Sequence, residues 1–246
     1  MTKKDDLSQI QLEIENYYSK LSNDKKILNE YFDIVDLERH SQLYYKVFFS
    51  KMSFDTDILF IGINPGGGEP WSSPNAKEKF EYVEYDYQLA RETKTVFKLA
   101  NYTNLLEILN NNNKVVKTNL YYLVTNNKNQ LEYFTEKILD ENQRKEFSEN
   151  HKSWTSRIIE LCKPKIIIYE GEYAYNNSPP YYDNTEKLVD YNQDGIYLVK
   201  LKDYKSTLIG YNRILSAIKN KESLAKILEK EFDSIPTLKI HKDLIN

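Results

Sequence analysis

Apolar side chains at Leu7, Ile10, Ile14, Tyr17, Tyr18 and Leu21 recur every three or four residues, the spacing that gathers them on one face of a helix. Ser22-Asn23-Asp24 interrupts that pattern and supplies an N-cap for a second helix whose inward residues are Ile27, Tyr31, Val35 and Leu37. Leu43, Tyr44, Val47 and Phe48 predict a third. The pattern then changes: Ile58, Leu59, Phe60, Ile61 and Ile63 form an almost unbroken apolar, β-branched run closed by Asn64, Pro65 and three glycines. Such a run reads as a strand buried on both faces that stops abruptly. Residues 69–86, with two prolines and several aromatics, predict an irregular loop, and 87–100 and 102–109 are helical again. Residues 117–124 predict a second strand ending in the polar cluster Thr125-Asn126-Asn127. Helices over 131–139 and 147–161 follow, Pro164 breaks the chain, and 165–169 is a third strand. Residues 171–194, rich in Asn, Tyr and Pro, predict a loop, and 196–201 the last strand. Ser206 reads as the N-cap of a helix through Asn220, and an amphipathic helix runs from Glu222 to about Phe232.

Strands alternating with helices predict an α/β fold, a three-layer α/β/α sandwich around a short, mainly parallel four-stranded sheet. No linker stands out in the 246 residues, so a single domain spanning 1–246 is expected, with an N-terminal helical extension over 1–52 and a C-terminal helix and tail over 221–246. The formal net charge is −3, which removes any global electrostatic case for nucleic acid and leaves only a local basic face to contact DNA. The lone Cys162 excludes a disulfide framework and a four-cysteine zinc or iron–sulfur site within the chain. No long apolar span and no signal sequence are visible, so a cytoplasmic protein without membrane association is expected.

The run Gly62-Ile63-Asn64-Pro65-Gly66 after an apolar strand resembles the first motif of the uracil-DNA glycosylase superfamily, and most closely its mismatch-specific uracil/thymine branch. Two further segments agree in order: Lys117-Thr118-Asn119-Leu120 resembles the family's Thr-Asn-Leu strand, and residues 163–168 its Pro-Lys-hydrophobic strand. The final His-Pro-Ser-like motif is not reproduced; residues 201–208 hold its position, but only Ser206 can be matched. The resemblance implies a flipped base in a pocket at the strand ends, with Gly62, Ile63, Pro65 and Gly66 around it. It also implies an attacking water held by Asn64, and Asn119 reading the base.

Cleaving a base from deoxyribose requires a flipped nucleotide, a water near the anomeric carbon and donors for the charge that develops on the leaving base. The Asn64 carboxamide does not ionise, so it orients water through its carbonyl oxygen rather than acting as a strong base. With the family's His missing, Lys202 or Lys205 is the expected cationic donor, beside Ser206. Trp71, Phe80 and Tyr85 are the aromatics placed to stack on a base, and Trp71 is preferred for its closeness to the glycines. Lys200, Lys202, Lys205 and Arg213 would form the phosphate-contacting face. No cofactor is expected. Gly68-Glu69 replaces the Lys-Ser/Thr of a P-loop, no Gly-x-Gly-x-x-Gly occurs, and His40, His151 and His241 have no ligand partner at metal spacing. The expected function is therefore hydrolysis of the N-glycosidic bond of uracil or another modified or mismatched base. The alternative is a non-catalytic module on the same fold that binds nucleic acid, a nucleotide or a protein partner.

Overall fold

A computed structural model describes residues 2–48, 50, 52–65, 85–102, 114–177, 187–201, 206–214 and 217–238. Packing divides the chain into two compact units, neither continuous in sequence: residues 1–47, 63–80 and 119–161 form the first, and 48–62, 81–118 and 162–246 the second.

The first unit is built from helices. Helix α1 (Lys3–Asn23) starts in a capping box, the Thr2 hydroxyl accepting from Asp5 N–H while the Asp5 carboxylate accepts from Thr2 N–H. Asp24 caps α2 (Lys25–Val35), its carboxylate accepting from Lys26 and Ile27 N–H as the sequence predicts. Two side chains satisfy carbonyls at the far end of α2: Asn126 Nδ2 donates to Val35 O, and Gln130 Nε2 to Ile34 O. Between these helices and the next, the expected helix over Leu43, Tyr44, Val47 and Phe48 is extended chain instead. Lys46 N–H donates to Tyr122 O and Val124 N–H to Tyr44 O. All four side chains are buried, so the apolar spacing is correct and only its period misleads. Asn127 caps the short α4 (Lys128–Tyr133), which continues as a π-turn over Phe134–Ile138, and α5 (Glu141–Cys162) follows.

The second unit carries the sheet. Its strands are β1 (Ile58–Gly62), β2 (Val115–Asn119, whose last residue belongs to the first unit), β3 (Ile166–Tyr169), β4 (Lys187–Gln193), β5 (Ile196–Leu201) and β6 (Thr207–Tyr211). They lie in the order β2-β1-β3-β6-β5-β4. Thus the sheet has six strands where four were expected, and it is mostly parallel. β1 pairs in parallel with β3, Ile58 opposite Ile166, and β3 with β6, Ile166 opposite Thr207. Bonds from Asp57 N–H to Lys114 O and from Tyr121 N–H to Ile63 O advance together along both chains, so β2 is parallel to β1 as well. β5 runs antiparallel to both β6 and β4.

Every residue of β1, β2 and β3 is buried, as strands covered on both faces must be. Ile58, Phe60, Ile166, Ile168 and Ile209 pack with Phe97 of α3 (Tyr85–Leu99) and with Leu224, Leu228 and Phe232 of α7 (Lys221–Asp233). Two short strands, β7 (Arg213–Ile214) and β8 (Ala217–Ile218), pair with each other.

The helix expected over 206–220 is the largest correction. Thr207–Tyr211 is instead an inner strand, and the Ser206 hydroxyl, rather than capping a helix, donates to Pro164 O. Gly210 fits this place because a Cβ there would stand 2.6 Å from the Tyr175 ring of α6 (Glu172–Asn176). The expected loop over 171–194 contains both α6 and β4. Asp194 and Gly195, both with positive φ, form the two-residue turn joining β4 to β5, and Asp-Gly is the signal for such a hairpin.

Candidate functional site

Asn64 follows β1 by two residues and is half-buried. Its Nδ2 donates to Thr125 Oγ1 at 2.8 Å, to Pro65 O at 3.0 Å and to Thr125 O at 3.3 Å. Two of these three acceptors are carbonyl oxygens, which cannot donate, so the NH2 half of the carboxamide has to face them. Oδ1 is thereby turned to the opposite side, and no described residue donates to it. The backbone holds the same loop: Ile63 O accepts from Tyr121 N–H at 2.9 Å and Pro65 O from Thr125 N–H at 3.2 Å. Asn119, in the same unit, ends β2 and is 2 % exposed. Its Nδ2 is buried without a hydrogen-bond partner among the described residues. A buried amide donor left unbonded costs about 1–3 kcal/mol, so such a group marks a place where water or a ligand belongs.

Gly62 is the last residue of β1, where a parallel sheet presents the carboxyl ends of its strands. Ser206 is elsewhere. It directly precedes Thr207, which is opposite Ile166, which in turn is opposite Ile58 at the start of β1. Four strand steps, about 13 Å, separate that level from Gly62. Lys202, Lys205, Gly66, Trp71 and Phe80 lie outside the described residues, as does the Tyr85 side chain. The residues flanking the two lysines, Leu201 and Ser206, are at the Ser206 end of the sheet. Sequence order alone hides this, because β5 runs antiparallel and its carboxyl end points away from those of β1 and β3.

At that end two carboxylates are buried and paired. Asp57 accepts from Lys165 Nζ at 2.6 Å and from the Thr237 hydroxyl at 2.9 Å, and Glu231 accepts from Lys200 Nζ at 2.7 Å. Lys200, expected on the phosphate-contacting face, is thus paired with a carboxylate.

The carboxyl ends of β3 and β6 carry a different set. Glu172 accepts from the Tyr197 hydroxyl and from Asn212 Nδ2, each at 2.8 Å. Burial, followed by the Glu172 hydrogen bond and charge, pushes the Tyr197 phenol up from its ordinary pKa. Lys117 of β2 forms a 2.5 Å ion pair with Glu170, the residue after β3, and both side chains are nearly inaccessible, at 6 % and 7 %. Sequence reading places Lys117 in a family-like strand segment but gives no hint of this partner 53 residues away. Thr125 is likewise visible only as part of a polar cluster.

Among the described residues no group of three or more His, Cys, Asp and Glu side chains is placed to hold a metal ion, and no helix is long and apolar enough to cross a membrane. His151 is fully buried in the first unit with Nε2 2.9 Å from the Tyr18 hydroxyl, and is not part of the Asn64 loop's hydrogen bonds. Compared with known proteins, the chain matches no family model and no curated protein at a significant level.

Proposed function

We propose that the chain is a DNA glycosylase of the uracil-excising kind, hydrolysing the N-glycosidic bond of uracil or another modified base in a flipped nucleotide. In this reading Asn64 Oδ1 accepts a hydrogen bond from a water and presents it to the anomeric carbon, and Asn119 Nδ2 donates to the base. The observation that carries the reading is the orientation of the Asn64 carboxamide, whose donors are consumed by Thr125 and Pro65 and whose acceptor is left over. The unbonded, buried Nδ2 of Asn119 supports it independently. Ser206 carries no role in this proposal, because it precedes Thr207 at the sheet end remote from Gly62, and Lys202 and Lys205 lie outside the described residues.

The missing His of the last motif favours a second reading, a module that binds a base or nucleotide without excising it, since no described cation is assigned to the departing base. The two separate on incubation with single- and double-stranded oligonucleotides carrying uracil, mismatched thymine or hypermodified bases, followed by alkali to reveal abasic sites. Excision that falls at least about a hundredfold in Asn64→Ala, the scale of losing a group that positions the nucleophile, supports the hydrolase. Absence of abasic sites with every base, alongside measurable oligonucleotide binding, supports the module.

A further inference from the structure

We propose that Thr125 is a positioning residue that sets the direction of the Asn64 carboxamide. Its hydroxyl is 2.9 Å from Asn127 O, an acceptor only, so the hydroxyl proton is committed there. What remains on Oγ1 is lone-pair density, and it accepts from Asn64 Nδ2 at 2.8 Å. Thr125 O accepts from the same Nδ2, and Thr125 N–H donates to Pro65 O, which itself accepts from Nδ2. Three atoms of Thr125 therefore close a ring of hydrogen bonds around the amide nitrogen. A carboxamide rotated by 180° would set Oδ1 against two carbonyl oxygens and a hydroxyl whose proton is already engaged. Only one orientation survives, the one that frees Oδ1. Val at this place would keep the shape and both carbonyl acceptors but lose the nearest of the three, loosening the hold on Nδ2.

The inference deepens the hydrolase reading only in its activity readout; its structural readout stands without it. The Asn64 side-chain NH2 is followed by NMR in 15N-labelled protein, its signals assigned by their loss in Asn64→Asp. In the wild-type chain these protons are expected to exchange slowly with water. Thr125→Val is expected to speed that exchange about tenfold, the scale of one hydrogen bond, and Thr125→Ser to restore it to within about twofold. Exchange in Thr125→Val equal to wild type overturns the proposal. A Thr125 with only a packing role would lower stability without moving this exchange below the unfolding transition. Should Thr125→Val not fold, Thr125→Cys keeps the volume with a weaker acceptor, and exchange faster than wild type is expected.

In the excision assay Thr125→Val is expected to lower kcat about tenfold at unchanged KM, with Thr125→Ser close to wild type. Slow exchange lost in Thr125→Val but no excision by the wild-type chain leaves the positioning role standing and removes the hydrolase. Excision by wild type that Thr125→Val leaves intact removes the positioning role.

Discussion

The two units each bury a titratable cationic side chain, and they do it in opposite ways. In the first, His151 sits among Phe147, Trp154, Tyr17, Tyr18, Tyr121 and Tyr122. Its Nδ1 is 2.7 Å from Phe147 O, which can only accept, so Nδ1 carries the proton. Nε2 then accepts from the Tyr18 hydroxyl. Burial holds the ring neutral, lowering its pKa to about 3 against a small opposing effect of the Phe147 carbonyl. In the second unit Lys117 faces Glu170 directly. One site discards its charge and the other pairs it. A neutralised site fails when the solution supplies a proton, a paired one when a partner is removed.

The largest effect is expected from breaking the pair. Lys117→Met leaves the nearly inaccessible Glu170 carboxylate without its salt-bridge cation, which costs about 3–5 kcal/mol. Removing both charges relieves it, so Lys117→Met/Glu170→Gln is expected to recover most of that loss. Urea titration of wild type, Lys117→Met, Glu170→Gln and the double variant measures the coupling, and a double variant no more stable than Lys117→Met would show that the pair is not where the cost arises.

Next comes the proton. The folded-state pKa of His151 lies below its unfolded value near 6.5, so the unfolded chain binds the extra proton first. Stability from this site is complete above pH 6.5 and is lost as the pH falls from there toward 3, by about 3 kcal/mol at pH 4. NMR of the imidazole ring checks the claim: at pH 5 His151 should still be the neutral Nδ1–H tautomer. A ring that is charged at pH 5 would sink it.

Which of these features the sequence displays depends on whether they are local. The faces of α1 and α2, the Asp24 cap, the all-apolar β1 and β3 and the face of α7 are written in spacing and composition, and the structure has them. β6 is not legible, because Ser206, Leu208, Tyr211 and Ile218 fit a capped helix as well as Thr207–Tyr211 fits a strand. Its neighbours β3 and β5 decide the matter, and they come from elsewhere in the chain. β4 has a usable signal in Asp194-Gly195, but the Asn- and Tyr-rich stretch before it hides the strand's own pattern. At the candidate site, Asn64 is legible as the residue that ends a strand. Thr125, 61 residues on, is not, because hydrogen bonds between side chains leave no period in a sequence. Nor is strand direction, which is why Ser206 falls at the wrong end of the sheet.

The smallest effect sharpens the neutral half of the comparison. Tyr18→Phe removes the hydroxyl that donates to His151 Nε2 while keeping the ring, which packs edge-on against the imidazole at a centroid distance of 6.0 Å. The ring nitrogen is then a buried acceptor without a donor, which costs about 1 kcal/mol at pH 7. The tautomer survives, because Phe147 O still requires a proton on Nδ1. An Nε2 with no donor beside it is also a better proton acceptor than one already bonded. So the stability loss on acidification should be no larger in Tyr18→Phe than in wild type, and the two ΔG-versus-pH curves should run parallel or converge below pH 6.5. Curves that diverge as the pH falls would mean that the Tyr18 hydroxyl serves the protonated ring rather than the neutral one.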